Sequence, residues 1–286
     1  MFTKIAAEEY LLDAPKVYRK IVIEFVDFCP KNVSDISRET WDKYREELKE
    51  KYKSGTVRDK LTKVKCFLND CVSKGYLRLN TKKLKIPKVT LNNIVATNDE
   101  LIKMESLLNL FDFSDLRDYL LIRCMRMGMR VGEIRNLNRE DIANAQIWTC
   151  DDGSLKYYTR IISEKSQIER LIMWSPTTHQ LFLKMLGVLI CINNKPELFT
   201  SLQSQTRMTT RSIQRRFDEL RVQAGITRRI SPHKVRHLAA HTDYEKNKDL
   251  KSVQILLGHA HQGSTQNYLN HNLNEKLQAL SKASTA

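Results

Sequence analysis

The sequence predicts a mainly α fold in two domains, and three observations carry that reading. Glycine and proline number 9 and 6 among 286 residues, so residues that interrupt helices are scarce. Apolar residues recur mostly three and four apart, the period of a helix face. A lysine-rich, acid-free stretch holding Pro87 separates two such periodic runs.

In the first run, a short helix around Ala6 to Leu12 precedes three apolar stripes. The stripes are Val17, Ile21, Phe25; then Trp41, Tyr44, Leu48; then Val57, Leu61, Val64, Leu68, Val72. Ser37 stands where an N-cap belongs and Gly75 where a helix-ending glycine belongs. Residues 1–80 therefore read as a four-helix domain. A linker over residues 81–95 follows, where Lys82, Lys83, Lys85 and Lys88 occur without an acid and Pro87 discourages helix. Residues 51–90 hold 12 Lys or Arg against two acids, a net of +10 out of +15 for the chain. That cluster is either a solvated helix face with its loop or a surface that tracks phosphates and releases their counterions.

The second run, residues 96–286, opens on the capping box Thr97-Asn-Asp-Glu100, which starts a helix through about Leu110. A longer helix is expected near Asp115 to Met127. Ile147 to Cys150, the turn Asp151-Asp152-Gly153, Tyr157 to Ile162 and Leu171 to Trp174 read as a three-stranded antiparallel meander. Helical spacing resumes from Leu181. The expected second domain is mostly helical with one small sheet.

Composition narrows the function classes. Mean hydropathy is −0.46, and the longest apolar run, Leu181 to Ile192, is broken by Lys184 and is about half a bilayer span. No membrane helix is expected. The start lacks the basic stretch, apolar core and cleavage site of a secretory signal, which points to the cytoplasm. Six cysteines without any C-x-x-C pair read as reduced core thiols, and no metal ligand set is expected. A pI near 9.5 favours a polyanionic partner, and 41% apolar residues suffice for a core.

Four segments concentrate residues that could hold and cleave a phosphodiester. In Gly128-Met-Arg130-Val-Gly-Glu133, Arg130 and Glu133 share a helix face, so the carboxylate can orient the guanidinium. Taken alone, that is the spacing of a surface salt bridge. Lys165 sits in a polar loop, Ser163 to Arg170, between the second and third strands. In Ser231-Pro-His233-Lys-Val-Arg236-His237, Ser231 can cap and Pro232 can start a helix, leaving His233 and Arg236 beside its positive end. The fourth is Leu256-Leu-Gly-His259 with Tyr268 nine residues later. Each has a plain structural alternative: a solvated lysine, a chance H-x-x-R, an aromatic packed on a core.

Taken in order, the segments resemble the tyrosine recombinase, or phage integrase, family, and the length is similar to its Xer-type members. The family pattern runs from an Arg in G-L-R-x-x-E-L, through a Lys in a β-hairpin loop, H-x-x-R and L-G-H, to a Tyr nine residues on. Arg130, Lys165, His233, Arg236, His259 and Tyr268 fill those positions. The match runs from about Thr97 to Tyr268. The first domain resembles the family's core-binding domain, without a sharp motif. Two departures occur: Met129 replaces the usual Leu, and the G-K-G-x-K-x-R lysine loop reads Glu164-Lys165-Ser166-Gln167-Ile168-Glu169-Arg170.

The resemblance implies a site-specific recombinase that breaks and rejoins duplex DNA through a 3′-phosphotyrosyl link to Tyr268, without metal, ATP or any other cofactor. By the same resemblance, Arg130 and Arg236 clamp the phosphate, Lys165 protonates the leaving 5′-oxygen, His233 is the acid/base partner of the nucleophile, and His259 hydrogen-bonds a non-bridging oxygen. Glu133 supports them. Arg207, Thr209, Arg211 and Arg215 lie where the family meets DNA, and Lys82, Lys83, Lys85 and Lys88 add a basic connector. The implied partner is double-stranded DNA with an inverted-repeat site, bound by a homotetramer whose free form is a monomer, in the nucleoid-associated cytoplasm. The tail has Leu273, Leu277 and Leu280 at helical spacing, a stripe too short to fold alone; in the family such a tail docks on the neighbouring protomer. A type IB topoisomerase and a non-catalytic DNA-binding regulator remain as alternatives.

Overall fold

The computed structural model describes residues 1–88, 95–162, 169–258 and 273–283. The chain separates into two units, Met1–Asn92 and Asn93–Ala286.

The first unit is built from α1 (Thr3–Asp13), α2 (Arg19–Phe28), α3 (Arg38–Lys51) and α4 (Ser54–Ser73). Ser37 caps α3 in a reciprocal box with Thr40, and Gly75 follows α4 at φ +74°, a conformation that side chains resist. Phe25, Trp41, Tyr44, Leu61, Phe67 and Leu68 fill the core. One stripe is corrected. Lys16–Tyr18 forms a 3₁₀ turn after Pro15, α2 starts only at Arg19, and Val17 is exposed, so Val22, Phe25 and Val26 supply the buried face instead. The chain after α4 is anchored as far as Ile86. Leu77 and Leu84 are buried on this core, and the Lys65 ammonium donates to the Leu84 carbonyl at 3.2 Å. Lys82, Lys83, Lys85 and Lys88 are exposed around that anchor.

In the second unit, α5 (Asn98–Glu105) starts at the Thr97–Glu100 capping box and ends earlier than its apolar spacing suggests. Asp112 opens a new cap there, and α6 (Phe113–Arg126) follows. Next come α7 (Val131–Asn136) and α8 (Arg139–Ala143). Strands β1 (Gln146–Thr149), β2 (Leu155–Ile162) and β3 (Glu169–Trp174) form the expected antiparallel meander in the order β1-β2-β3. Beyond the sheet lie α9 (Pro176–Ile192), α10 (Thr210–Gln223), α11 (Pro232–Asn247), α12 (Leu250–Leu257) and α13 (Leu273–Ala283). The central core gathers Leu120, Ile134, Trp174, Phe182 and Phe199.

Two further expectations change. All six cysteines are free, but only Cys71 and Cys124 are buried, and Cys191 on α9 is exposed. The tail helix docks within its own unit: Leu277 and Leu280 are buried against Tyr158, Leu171, Met173 and Leu256. That apolar face on β2, β3 and α12 covers Leu277 and Leu280 within the unit. The Leu273 side chain lies outside the described ones.

Candidate active site

The site begins where α6 stops. Gly128 has φ +75°, and an added Cβ would meet the Leu256 side chain at 3.4 Å. The chain then extends through Arg130, the N-cap position of α7. Glu133 reaches back. Its Oε2 accepts from the Arg130 backbone N–H at 2.8 Å, and its Oε1 from Arg130 Nη1 at 2.8 Å. The Arg130 side chain is 30% exposed and that of Glu133 1%, so a surface salt bridge does not describe this pair.

Two more guanidiniums arrive from distant elements. Arg170, near the start of β3, donates Nη2 to Glu133 Oε2 at 2.7 Å and to the Gly128 carbonyl at 3.2 Å, and Nη1 to the Leu256 carbonyl. Arg236, in the first turns of α11, donates Nη1 to the Gly128 carbonyl and Nη2 to the Leu257 carbonyl. It lies 3.7 Å from Glu133 Oε2. Among the described residues, two buried guanidiniums and the partly exposed Arg130 thus gather on one carboxylate.

The electrostatics follow. Burial alone would raise the Glu133 carboxyl, but Arg170 and the Arg130 hydrogen bonds outweigh it and hold its pKa below the usual value. Burial, then repulsion from Arg170 and Arg130, pushes Arg236 down to about 9 even with Glu133 nearby. Burial depresses Arg170 as well. A buried cation held down in this way is stabilised by any anion that enters.

His233 and His237 stand one turn apart on α11, both exposed, with Nε2 atoms 3.1 Å apart. Partial desolvation of its otherwise exposed ring, then His237 and the neighbouring cations, lower the pKa of His233, which favours a neutral imidazole near pH 7. Pro232 occupies the first position of α11. Ser231 stands at the cap position, but its side chain makes no capping bond.

The structure therefore brings Arg130, Glu133, His233 and Arg236 onto neighbouring elements of one unit. Lys165, His259 and Tyr268 lie outside the described residues. Arg207 is engaged internally: it donates to the carbonyls of Arg135 and Leu137 and to Asn138 Oδ1, at 2.7, 3.1 and 2.6 Å. Thr209 caps α10 by accepting from the Ser212 N–H. Arg211 and Arg215 are exposed on α10, where Arg215 lies 3.5 Å from Glu219. Arg170 is the site residue that sequence reasoning missed. Its signal was an arginine at the second position of a strand whose remaining four residues are all buried.

Among the described residues, no group of three or more His, Cys, Asp or Glu is placed to hold a metal ion. Fold and site together define a helical domain around a small sheet, with two buried arginines and Arg130 gathered on one carboxylate.

Comparison with known proteins makes that class specific. Residues 97–275 match the phage integrase family model. The chain is 30% identical over 227 residues to tyrosine recombinase XerC of Serratia marcescens, covering 75% of this chain and 68% of that protein. It is 26% identical over 272 residues to a tyrosine recombinase of Pseudothermotoga lettingae, covering 91% and 88%. The fold is similar to that of lambda integrase residues 75–356 bound to DNA, with a TM-score of 0.68 at 15% identity, over 94% of this chain and 96% of that one. It is also similar to XerH site-specific recombinase bound to palindromic difH substrate, with a TM-score of 0.65 at 20% identity, over 92% and 78%. The chain belongs to the phage integrase family, as a tyrosine-type site-specific recombinase of the Xer type.

Proposed function

We propose that this recombinase cuts and rejoins duplex DNA through a covalent 3′-phosphotyrosyl link to Tyr268, acting as a tetramer on two duplexes. The observation that carries the reading is the gathering of buried Arg170 and Arg236, with Arg130, on the single carboxylate of Glu133. A phosphodiester entering beside them supplies the missing negative charge. Fixed donors then stabilise the charge that grows on its non-bridging oxygens as the nucleophile attacks in line.

In this mechanism the Tyr268 oxygen bonds to phosphorus, the bond to the 5′-oxygen breaks, and that oxygen leaves with a proton. Lys165 supplies the proton by its place in the family pattern. His233, held neutral, takes the phenolic proton, and His259 hydrogen-bonds a non-bridging oxygen. The phosphotyrosyl bond conserves the energy of the broken linkage, so rejoining needs neither ATP nor another cofactor. Glu133 keeps Arg130 aimed.

Residues 1–80, the connector with Lys82, Lys83, Lys85 and Lys88, and the exposed Arg211 and Arg215 are proposed to follow the backbone of an inverted-repeat site. Lambda integrase, similar in fold, forms a tetramer bound to a Holliday junction in one of its crystal structures, which supports the same assembly here. Among the described residues, no helix is long and apolar enough to cross a membrane, compatible with action at the nucleoid in the cytoplasm.

The test is Tyr268→Phe. Sites are first selected from a pool of random duplexes, then nicked near the scissile phosphate as suicide substrates. Wild type is expected to form a protease-sensitive adduct and to exchange strands between duplexes; Tyr268→Phe binds with nearly unchanged affinity and forms none. Adduct formation without exchange would favour the topoisomerase reading. An adduct from Tyr268→Phe overturns the assignment.

A further inference from the structure

We propose that Arg170 is a positioning residue for strand cleavage: it locks the Gly128–Glu133 segment to the end of α12, and so sets the spacing between the phosphate-binding arginines and the chain that leads into His259. This rests on the proposed recombinase chemistry and deepens it.

Arg170 makes one side-chain connection among three separate parts of the second unit. Its Nη2 bridges Glu133 Oε2 and the Gly128 carbonyl, and its Nη1 holds the Leu256 carbonyl. Those partners lie 37, 42 and 86 residues away in sequence. The approach on the α12 side is close. Gly258 adopts φ +57°, and an added Cβ would stand 2.6 Å from Arg170 Cδ, so the end of α12 closes directly over the arginine stem.

The side chain also forgoes a bond to hold this pose. Arg170 is 6% exposed, and its Nε is a buried donor with no hydrogen-bond partner among the described residues. An arginine serving only to neutralise Glu133 could turn a full fork onto the carboxylate, using Nε as one prong. Here the two Nη groups are spread over a carboxylate and two carbonyls. Arg236 donates to the same Gly128 carbonyl and to Leu257, next to the Leu256 acceptor of Arg170. Arg170 thus holds from one side the two carbonyl-bearing segments that orient Arg236 from the other. A lysine at 170 would keep the charge beside Glu133 but, as a compact ammonium, could not span these acceptors with a planar fork.

The experiment compares wild type, R170K and G258A on the selected suicide duplex. Three quantities are read: the melting transition, the protein concentration that half-saturates the duplex, and the rate of adduct formation at saturating protein. R170K is expected to melt cooperatively near wild type and to half-saturate at the same concentration. Its adduct should form about 100-fold more slowly, the loss that a misplacement near 1 Å can produce. G258A, which pushes on the stem without removing charge, should show the same split, and the double variant should be no slower than R170K alone.

R170K cleaving at the wild-type rate would overturn the proposal. So would losing duplex affinity in step with cleavage, or failing to melt cooperatively, since either shows a general structural role. Multiplicative slowing in the double variant would overturn the link to α12. If wild type itself forms no adduct, the recombinase reading fails first, a result separate from a fast R170K beside an active wild type.

Discussion

Two buried carboxylates in the second unit look alike in sequence and differ in charge balance. Asp118, with a fully buried side chain, accepts from Arg117 Nε and Nη2 at 3.0 and 2.8 Å and from Arg216 Nε. Arg216 also reaches Glu219 at 3.4 Å. Two guanidiniums thus meet two carboxylates, and Arg117 donates further to the Thr200 carbonyl at 3.2 Å and to Ser114 Oγ at 3.4 Å. Around Glu133, Arg170 and Arg236 are both buried beside a single carboxylate, with Arg130 adding a third guanidinium at the edge. We read the difference as that between a brace and the proposed phosphate site. A network whose charges balance, here with Glu219 at the exposed end, is complete as it stands, whereas surplus buried cations are desolvated at a cost that an incoming anion relieves.

The largest expected effect breaks the balanced network. Asp118→Asn leaves two guanidiniums facing a neutral amide and should cost about 3 to 5 kcal/mol of stability, measured by denaturant unfolding. Adduct formation at temperatures where the variant stays folded should be nearly unchanged. A variant as stable as wild type would remove the distinction between the two clusters.

Arg236→Ala is the converse. It removes a surplus charge, so stability should change less than for Asp118→Asn, while transition-state stabilisation falls by about 3 to 4 kcal/mol. Single-turnover cleavage checks this; a wild-type rate would place Arg236 outside the chemistry.

A smaller effect concerns cations that are not buried at all. Replacing Lys82, Lys83, Lys85 and Lys88 with Gln should flatten the salt dependence of DNA binding by about 0.9 in log–log slope for each phosphate no longer neutralised. An unchanged slope would make the exposed lysines a solvated surface around the Leu84 anchor.

The smallest effect is in titration. His233 has a folded pKa below its ordinary 6.5, from partial desolvation first and His237 next. The folded state therefore favours the neutral ring. This contribution is intact above 6.5 and declines as pH falls through 6.5 towards the folded pKa, because the unfolded chain takes the proton more readily. His237→Ala should raise the His233 value, read from its imidazole NMR shifts. A fall would show that the neighbouring ring does not repel the proton.

Much of the fold was legible because its signals are local. The Ser37 and Thr97 caps, Gly75 after α4 and the Asp151-Asp152-Gly153 turn act within a few residues, and apolar spacing marks a face wherever a helix already exists. The reading from sequence fails where packing chooses among neighbouring faces, as at Val17, or where residue type alone suggests burial, as at the exposed Cys191. For the candidate site, the order of motifs points to Arg130, Glu133, His233 and Arg236, which the structure places on neighbouring elements of one unit. The same reading gave Arg207 a place on DNA, while the fold engages its guanidinium with the carbonyls of residues 135 and 137.

By itself, the sequence determined a mainly helical, two-part chain with an antiparallel meander, its strong positive charge and its membership of the recombinase family. These depend on residue type and short spacing, which folding does not alter. Only the tertiary structure decided that Arg170 joins Glu133 to α12, that Arg236 lies in surplus beside it, and that the Leu277 and Leu280 stripe packs on its own sheet. Each rests on contacts between residues far apart in sequence, so no local period encodes it. The balance of charge in a buried cluster exists only after the chain has removed those side chains from water.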